Sequence, residues 1–125
     1  MDEQHDIVGA AHRIRFWQQG SRCPVYEFVR GLVGTPDYDK IVALLKRTAD
    51  RGMPLHNRTR ALHLRAHGNL YELKSHEIRI LLFRGEGRDL ILAHALKKRS
   101  DRTPRRAIES ALRVPDEWER QHREG

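Results

Sequence analysis

Two stretches near the middle of the chain leave little choice of architecture. Ile78-Arg79-Ile80-Leu81-Leu82-Phe83-Arg84 and Leu90-Ile91-Leu92-Ala93-His94-Ala95-Leu96 are apolar at nearly every position, and the glycines of Gly85-Glu86-Gly87 stand between them. Each run is the length of a strand, and the short connection forces a hairpin. Side chains of a strand point alternately to its two faces. A strand that is apolar throughout is therefore central and covered on both sides. A third strand, Leu70-Tyr71-Glu72-Leu73-Lys74, precedes them through the short turn Ser75-His76-Glu77. A fold for this chain has to provide cover for two faces of one sheet.

Helices supply that cover. Val25, Phe28, Val29 and Leu32 fall at i, i+3, i+4 and i+7, one face of a helix that Pro24 opens and Gly31 and Gly34 end. Thr35-Pro36-Asp37 opens a second helix with a capping hydroxyl, a first-position proline and an acid in the first turn. Its apolar stripe is Ile41, Leu44, Leu45 and Ala49, and Gly52 stops it. Upstream, Arg13 to Trp17 alternates polar and apolar residues and reads as a short strand behind a frayed lead-in over residues 1–11. Ala61-Leu62-His63-Leu64 reads as a further extended piece. Thr103-Pro104 opens a third helix by the same cap logic, with Ala107, Ile108, Ala111 and Leu112 as its apolar face; Pro115 breaks it, and residues 115–125 are peripheral. The order β-α-α-β-β-β-α over 125 residues predicts a single α+β domain: an antiparallel sheet, two N-terminal helices on one face and a C-terminal helix.

Charge narrows the function. The chain carries +7 with histidine neutral, and the excess is localised. Residues 1–56 hold eight basic and seven acidic residues, whereas residues 57–106 hold thirteen basic and five acidic. A polyanion partner, most simply nucleic acid, fits such asymmetry. No apolar run approaches the roughly 20 residues of a membrane span. The acidic start, Met1-Asp2-Glu3-Gln4-His5-Asp6, fits neither a secretory nor a mitochondrial leader. The single cysteine, Cys23, forms no intrachain disulfide and founds no cysteine-based zinc cluster. His63 and His67 are four apart but beside Gly68-Asn69, which argues against the helix a metal pair would need. The expectation is a cytoplasmic protein without metal or cofactor.

Four motifs in order carry a family resemblance. Leu70-Tyr71-Glu72-Leu73-Lys74, Ile78-Arg79-Ile80-Leu81, His94-Ala95-Leu96-Lys97-Lys98-Arg99 and Arg102-Thr103-Pro104 resemble the HigB branch of the RelE/ParE toxin superfamily, in its phage-derived form. That branch reads L-Y-E-L-R, Y-R-V-L, H-G-F-x-K-K and K-T-P, followed by an alanine-rich helix. Here Lys74 stands for the usual arginine, Ile78 for an aromatic, Ala95-Leu96 for Gly-Phe, and Arg99 and Arg102 for lysine. The basic exchanges keep charge, although arginine and lysine are not equivalent at a bidentate phosphate contact. The resemblance implies a RelE-like domain and a type II toxin that cuts mRNA in the ribosomal A site without a metal. It also implies silencing by a cognate antitoxin, commonly of helix-turn-helix type.

The residues suit that chemistry. Metal-free RNA cleavage uses the 2′-hydroxyl as nucleophile and needs a base, an acid and fixed cations around the phosphorane. With the resemblance, the catalytic candidates are Arg79, His94, Lys98 and Tyr71. Arg79 clamps the scissile phosphate or snorkels off the sheet edge. His94 alternates with Leu90 and Leu92, so it shares their face and is either a core imidazole or a proton carrier. Tyr71 orients or stacks on RNA, or is half core. Candidate RNA contacts are Lys74, Lys97, Arg99 and Arg102, with Arg65 in an arginine-rich loop. Glu72 reads as a structural ion partner for Arg79 or Lys98. Two other functions fit the same fold: a ParE-like inhibitor of DNA gyrase that acts by binding, and an inactive, phage-borne binding module. Expected partners are the antitoxin, the ribosome and mRNA, and no membrane.

Overall fold

The computed structural model describes residues 5–53, 59–61, 70–98 and 102–123. The elements are β1 (Ile7–Val8), β2 (Arg13–Phe16), α1 (Pro24–Arg30), α2 (Pro36–Arg51), β3 (Thr59–Ala61), β4 (Leu70–Ser75), β5 (Ile78–Arg84), β6 (Asp89–Lys97), α3 (Arg105–Leu112) and α4 (Val114–Arg123). The strands form one sheet in the order β1-β2-β6-β5-β4-β3. β5 and β6 are internal, as their two-faced hydrophobicity demands.

Two cores result, one on each face. Ile78, Ile80 and Leu82 of β5 join Leu90 and Leu92 of β6, Leu73 of β4 and Ile14 of β2 beneath α1 and α2. The helices contribute Val25, Val29, Ile41, Leu44, Leu45 and Ala49, the stripes read from the sequence. On the opposite face Leu70, Leu81, Phe83, Ile91 and Ala93 pack under Ala107 and Ala111 of α3 and Val114 and Trp118 of α4. Thr35 caps α2 as expected: its Oγ1 accepts from the Tyr38 N–H at 3.4 Å and donates to the Leu32 carbonyl at 2.7 Å.

Four expectations are corrected. Residues 115–125 are not all peripheral, because α4 runs to Arg123 and buries Trp118 in the second core. The sheet is not wholly antiparallel, because β2 runs parallel to β6, with Ile14 opposite Leu90 and Phe16 opposite Leu92. Helices α1 and α2 follow β2 over one face of the sheet, so β2 is free to enter beside β6 in the same direction. The lead-in is not frayed throughout. Ile7–Val8 pairs antiparallel with β2, and Asp6 forms ion pairs with Arg13 at 2.9 Å and Arg15 at 3.4 Å. Nor does Thr103 cap α3. Pro104 occupies the N-cap position with no side-chain bond, and the Thr103 hydroxyl is engaged elsewhere, as shown below. The extended piece expected at 61–64 begins earlier, as β3; Leu62 to Leu64 lie outside the described residues, as do His63 and His67. No helix among the described residues is long and apolar enough to cross a membrane.

The β1–β2 turn docks on the end of α2. The N–H groups of Ala11 and His12 both donate to the Ala49 carbonyl at 2.8 Å. Gly9 makes this approach possible, since a Cβ there would run into that carbonyl group and the Asp50 carboxylate. Backbone cannot yield as a flexible side chain does. Gly9→Ala should therefore destabilise the fold by about 1–3 kcal/mol. Urea denaturation checks this: the midpoint should fall while the slope stays unchanged.

Candidate active site

A β-bulge decides which side chains meet. Leu81 of β5 lies opposite His94, but Leu82 lies opposite Leu92, so Ala93 is an extra residue on β6. A bulge places two residues against one and re-aims the side chains beyond it. Leu90 and Leu92 point to the α1/α2 core. Past the bulge His94 lines a cleft beside α3, on the opposite face. The expectation that His94 shares the face of Leu90 and Leu92 is thus corrected. Register from Leu81 onward puts Glu72, Leu81 and His94 in one cross-strand row, and Lys74, Arg79 and Leu96 in the next. Both rows face α3.

The cleft encloses about 550 Å³. His94 and Leu96 line its sheet side, Ala107 and Ser110 its helix side, and Lys98, Arg105 and Arg106 its rim. An adjoining hollow of about 440 Å³ shares Lys98, Pro104 and Arg105 and adds Arg102 and Thr103. Arg105 has an i,i+4 carboxylate in Glu109, 3.4 Å away. Lys98 and Arg106 have no carboxylate partner among the described residues. Helix α3 begins inside this cluster with no acidic residue in its first turn. Helix N-termini repel cations, so Arg105 and Arg106 sit against their own helix dipole. An anion placed there would satisfy both.

His94 is half-buried, and desolvation holds its pKa below the ordinary imidazole value of 6.5. Burial disfavours the charged ring. The imidazole is therefore neutral near pH 7, with a lone pair able to take a proton, in a cleft whose rim is positive.

The other candidates are distributed as follows. Arg79 is 1% exposed and lines neither the His94 cleft nor the adjoining hollow. Its Nη1 donates to the His76 carbonyl at 2.6 Å and the Ile78 carbonyl at 3.3 Å, which secures the β4–β5 turn where His76 adopts φ 55°. Lys74 is half-buried in the same cross-strand row. Tyr71 belongs to the opposite face, packed against the α1/α2 core. Its ring lies 5.4 Å from the Arg84 guanidinium carbon, and its hydroxyl accepts from Arg84 Nε at 3.4 Å. Lys97 pairs in register with Ile78 on that face and forms an ion pair with Asp37 of α2 at 3.5 Å. Arg65 and Arg99 lie outside the described residues. The structure thus brings His94 and Lys98 into one cleft, with Arg102 in the adjoining hollow, and separates Tyr71 and Lys97 from them. It adds Arg105, Arg106 and Ser110, which sequence reasoning missed. Two arginines opening a helix after Thr-Pro, where acids are favoured, were the available signal.

A second cavity of about 490 Å³ opens at the other end of the same face, against Phe83, Leu112, Pro115 and Trp118. The Arg15 guanidinium there is taken up by Asp6, by Asp89 at 3.6 Å and by the Trp118 ring. With that charge engaged, the cleft at His94 is the better place for reaction on an anion. Among the described residues no three His, Cys, Asp or Glu side chains gather as a metal site would require.

Sequence comparison places this geometry in a family. The profile of the phage-derived proteins described as Gp49-like (DUF891) matches residues 35–114, from the cap of α2 to the start of α4. The chain belongs to the Gp49-like family. That family is related to the RelE-like toxins, so the broader part of the resemblance holds. No curated protein matches the Gp49-like chain. The matched stretch contains β4 to α3 entire, and with them every described group of the basic cleft.

His94 gives the Gp49-like protein a measurable acid sensitivity. The unfolded chain protonates this ring at its ordinary value, and the folded chain only at lower pH. Its contribution to stability is therefore complete above about pH 6.5 and declines as pH falls through the folded pKa. His94→Gln should flatten that part of the stability–pH curve between pH 7 and 5. Chemical denaturation at several pH values measures the difference.

Proposed function

We propose that this Gp49-like protein is the toxin of a type II toxin–antitoxin pair, a metal-free endoribonuclease that cuts mRNA on the ribosome. The observation that carries the proposal is a half-buried, neutral His94 set in a cleft rimmed by Lys98, Arg105 and Arg106, with Arg102 in the adjoining hollow. In this reading His94 accepts the proton of the 2′-hydroxyl. The 2′-oxygen attacks the adjacent phosphorus, a 2′,3′-cyclic phosphate forms, and the bond to the 5′-oxygen breaks; the departing 5′-oxygen takes a proton from water, and the protonated His94 returns its proton to solvent. Lys98 and Arg106 stabilise the charge that builds on the phosphorane oxygens, a role that requires fixed cations and no metal. Arg79 supports the site by holding the β4–β5 turn. Single-stranded RNA enters along the basic rim, with phosphate contacts at Arg102 and Arg105. A cognate antitoxin of helix-turn-helix type, the ribosome and mRNA are the proposed partners, and the cytoplasm is the proposed location.

Expression from a tight promoter, followed by primer extension on a reporter message, tests this. Cuts should appear only when the message is translated. A general base contributes roughly 10²–10⁴-fold, so His94→Gln should reduce cleavage at least about a hundredfold. Lys98→Ala/Arg106→Ala should do likewise by removing charge stabilisation. Growth arrest with intact mRNA would reject the nuclease and direct attention to gyrase supercoiling instead.

A further inference from the structure

One buried polar contact is not used by that chemistry. Glu72 of β4 is 0% exposed, and its Oε2 accepts a hydrogen bond from the hydroxyl of Thr103, itself only 9% exposed. The partners are 31 residues apart in sequence. Withdrawing a carboxylate from water is costly unless hydrogen bonds compensate it. Thr103 also forgoes an alternative. Thr35, in the same Thr-Pro context, caps its helix, whereas Thr103 leaves α3 without a side-chain cap and donates its hydroxyl hydrogen bond to Glu72.

What the contact holds is the start of α3. Arg102 adjoins Thr103 directly, and Arg105 and Arg106 follow within one turn of helix. These cations converge with Lys98 although they repel one another and the helix dipole. Glu72 stands two strands from His94 in the same cross-strand row, roughly 10 Å away along the hydrogen-bonding direction. The tie therefore lies on the sheet face that α3 covers, across from the imidazole. We propose that Glu72 and Thr103 are a positioning pair, a clasp that keeps the N-terminal end of α3 and its arginines closed over His94. The functional meaning of the clasp rests on the nuclease reading; its mechanical meaning does not.

Two readouts separate these. The charged groups around His94 are Lys98 just past the end of β6 and Arg105 and Arg106 from α3, with Glu72 of β4 in its own cross-strand row and Lys74 of β4 and Arg79 of β5 in the next. In the first readout, the His94 ring is titrated by NMR in the full chain. Thr103→Val should release α3, hydrate the ring and move its titration up toward the ordinary imidazole value, and Thr103→Ser should restore it. In the second, a short single-stranded RNA is bound at several salt concentrations. Thr103→Val should bind about tenfold more weakly, with a salt dependence shallower by about one phosphate contact, and Thr103→Ser should again recover. Glu72→Leu/Thr103→Val removes both ends of the contact and serves if the single variant fails to fold; it should show the same two changes. A folded variant with His94 and the salt dependence both unmoved overturns the clasp. Wild-type protein that binds no RNA, while Thr103→Val still moves His94, upholds the clasp and rejects a role for it in holding free RNA, while the nuclease reading fails only if translated message stays uncut.

Discussion

Burial of β5 and β6 on both faces is the constraint from which the rest of the structure follows. Ile80 and Leu82 require one helical layer, Leu81 and Phe83 another, and the chain uses its N-terminal helices for the first and its C-terminal helices for the second. Once both layers are in place, a polar side chain on β6 reaches solvent only where the cover thins. That place is the end of β6 beside the first turn of α3. The cleft is thus a by-product of two-sided packing, occupied by the one histidine that a bulge turns toward it.

Electrostatics then gives the cleft its character. The basic excess of residues 57–106 is not spread evenly over a solvated surface. Part of it is consumed structurally: Arg79 by the hairpin carbonyls, Lys97 by Asp37, and Arg84 by the Tyr71 ring. Among the described residues, the charge that has no carboxylate partner gathers at Lys98 and Arg106, next to an imidazole that burial keeps neutral. A neutral base beside unpaid positive charge is what hydroxyl attack on a phosphodiester asks for, and it agrees with membership of a family related to RelE-like toxins.

Much of this was legible in the sequence, and the failures have identifiable causes. Strands β4 to β6 and helices α1 and α2 were legible because their hydrophobic periods are local and uninterrupted. The direction of β2 was not, because nothing in Arg13 to Phe16 records which neighbour it will join. His94 was assigned to the wrong face by strict alternation: one inserted residue, Ala93, reverses every side chain beyond it. Lys97 and Lys98 are indistinguishable as a motif, yet they part company on leaving the sheet, one to Asp37 and the other to the cleft. Thr103 was misread as a cap because its competing partner, Glu72, lies far away in the chain. Each miss is a case of a distant contact overruling a local preference.

The parallel pairing of β2 with β6 bears on how much of the chain makes a self-sufficient unit. The family match begins at Thr35 and so leaves out β1, β2 and α1. Without β2, the nine-residue strand β6 would become the margin of the sheet, presenting unpaired backbone groups flanked by Leu90, Ile91 and Leu92. A long apolar margin of that kind invites pairing with other chains. The N-terminal segment therefore acts as a guard strand. It ends the sheet in the two residues of β1 and keeps the backbone of β6 out of reach of other strands.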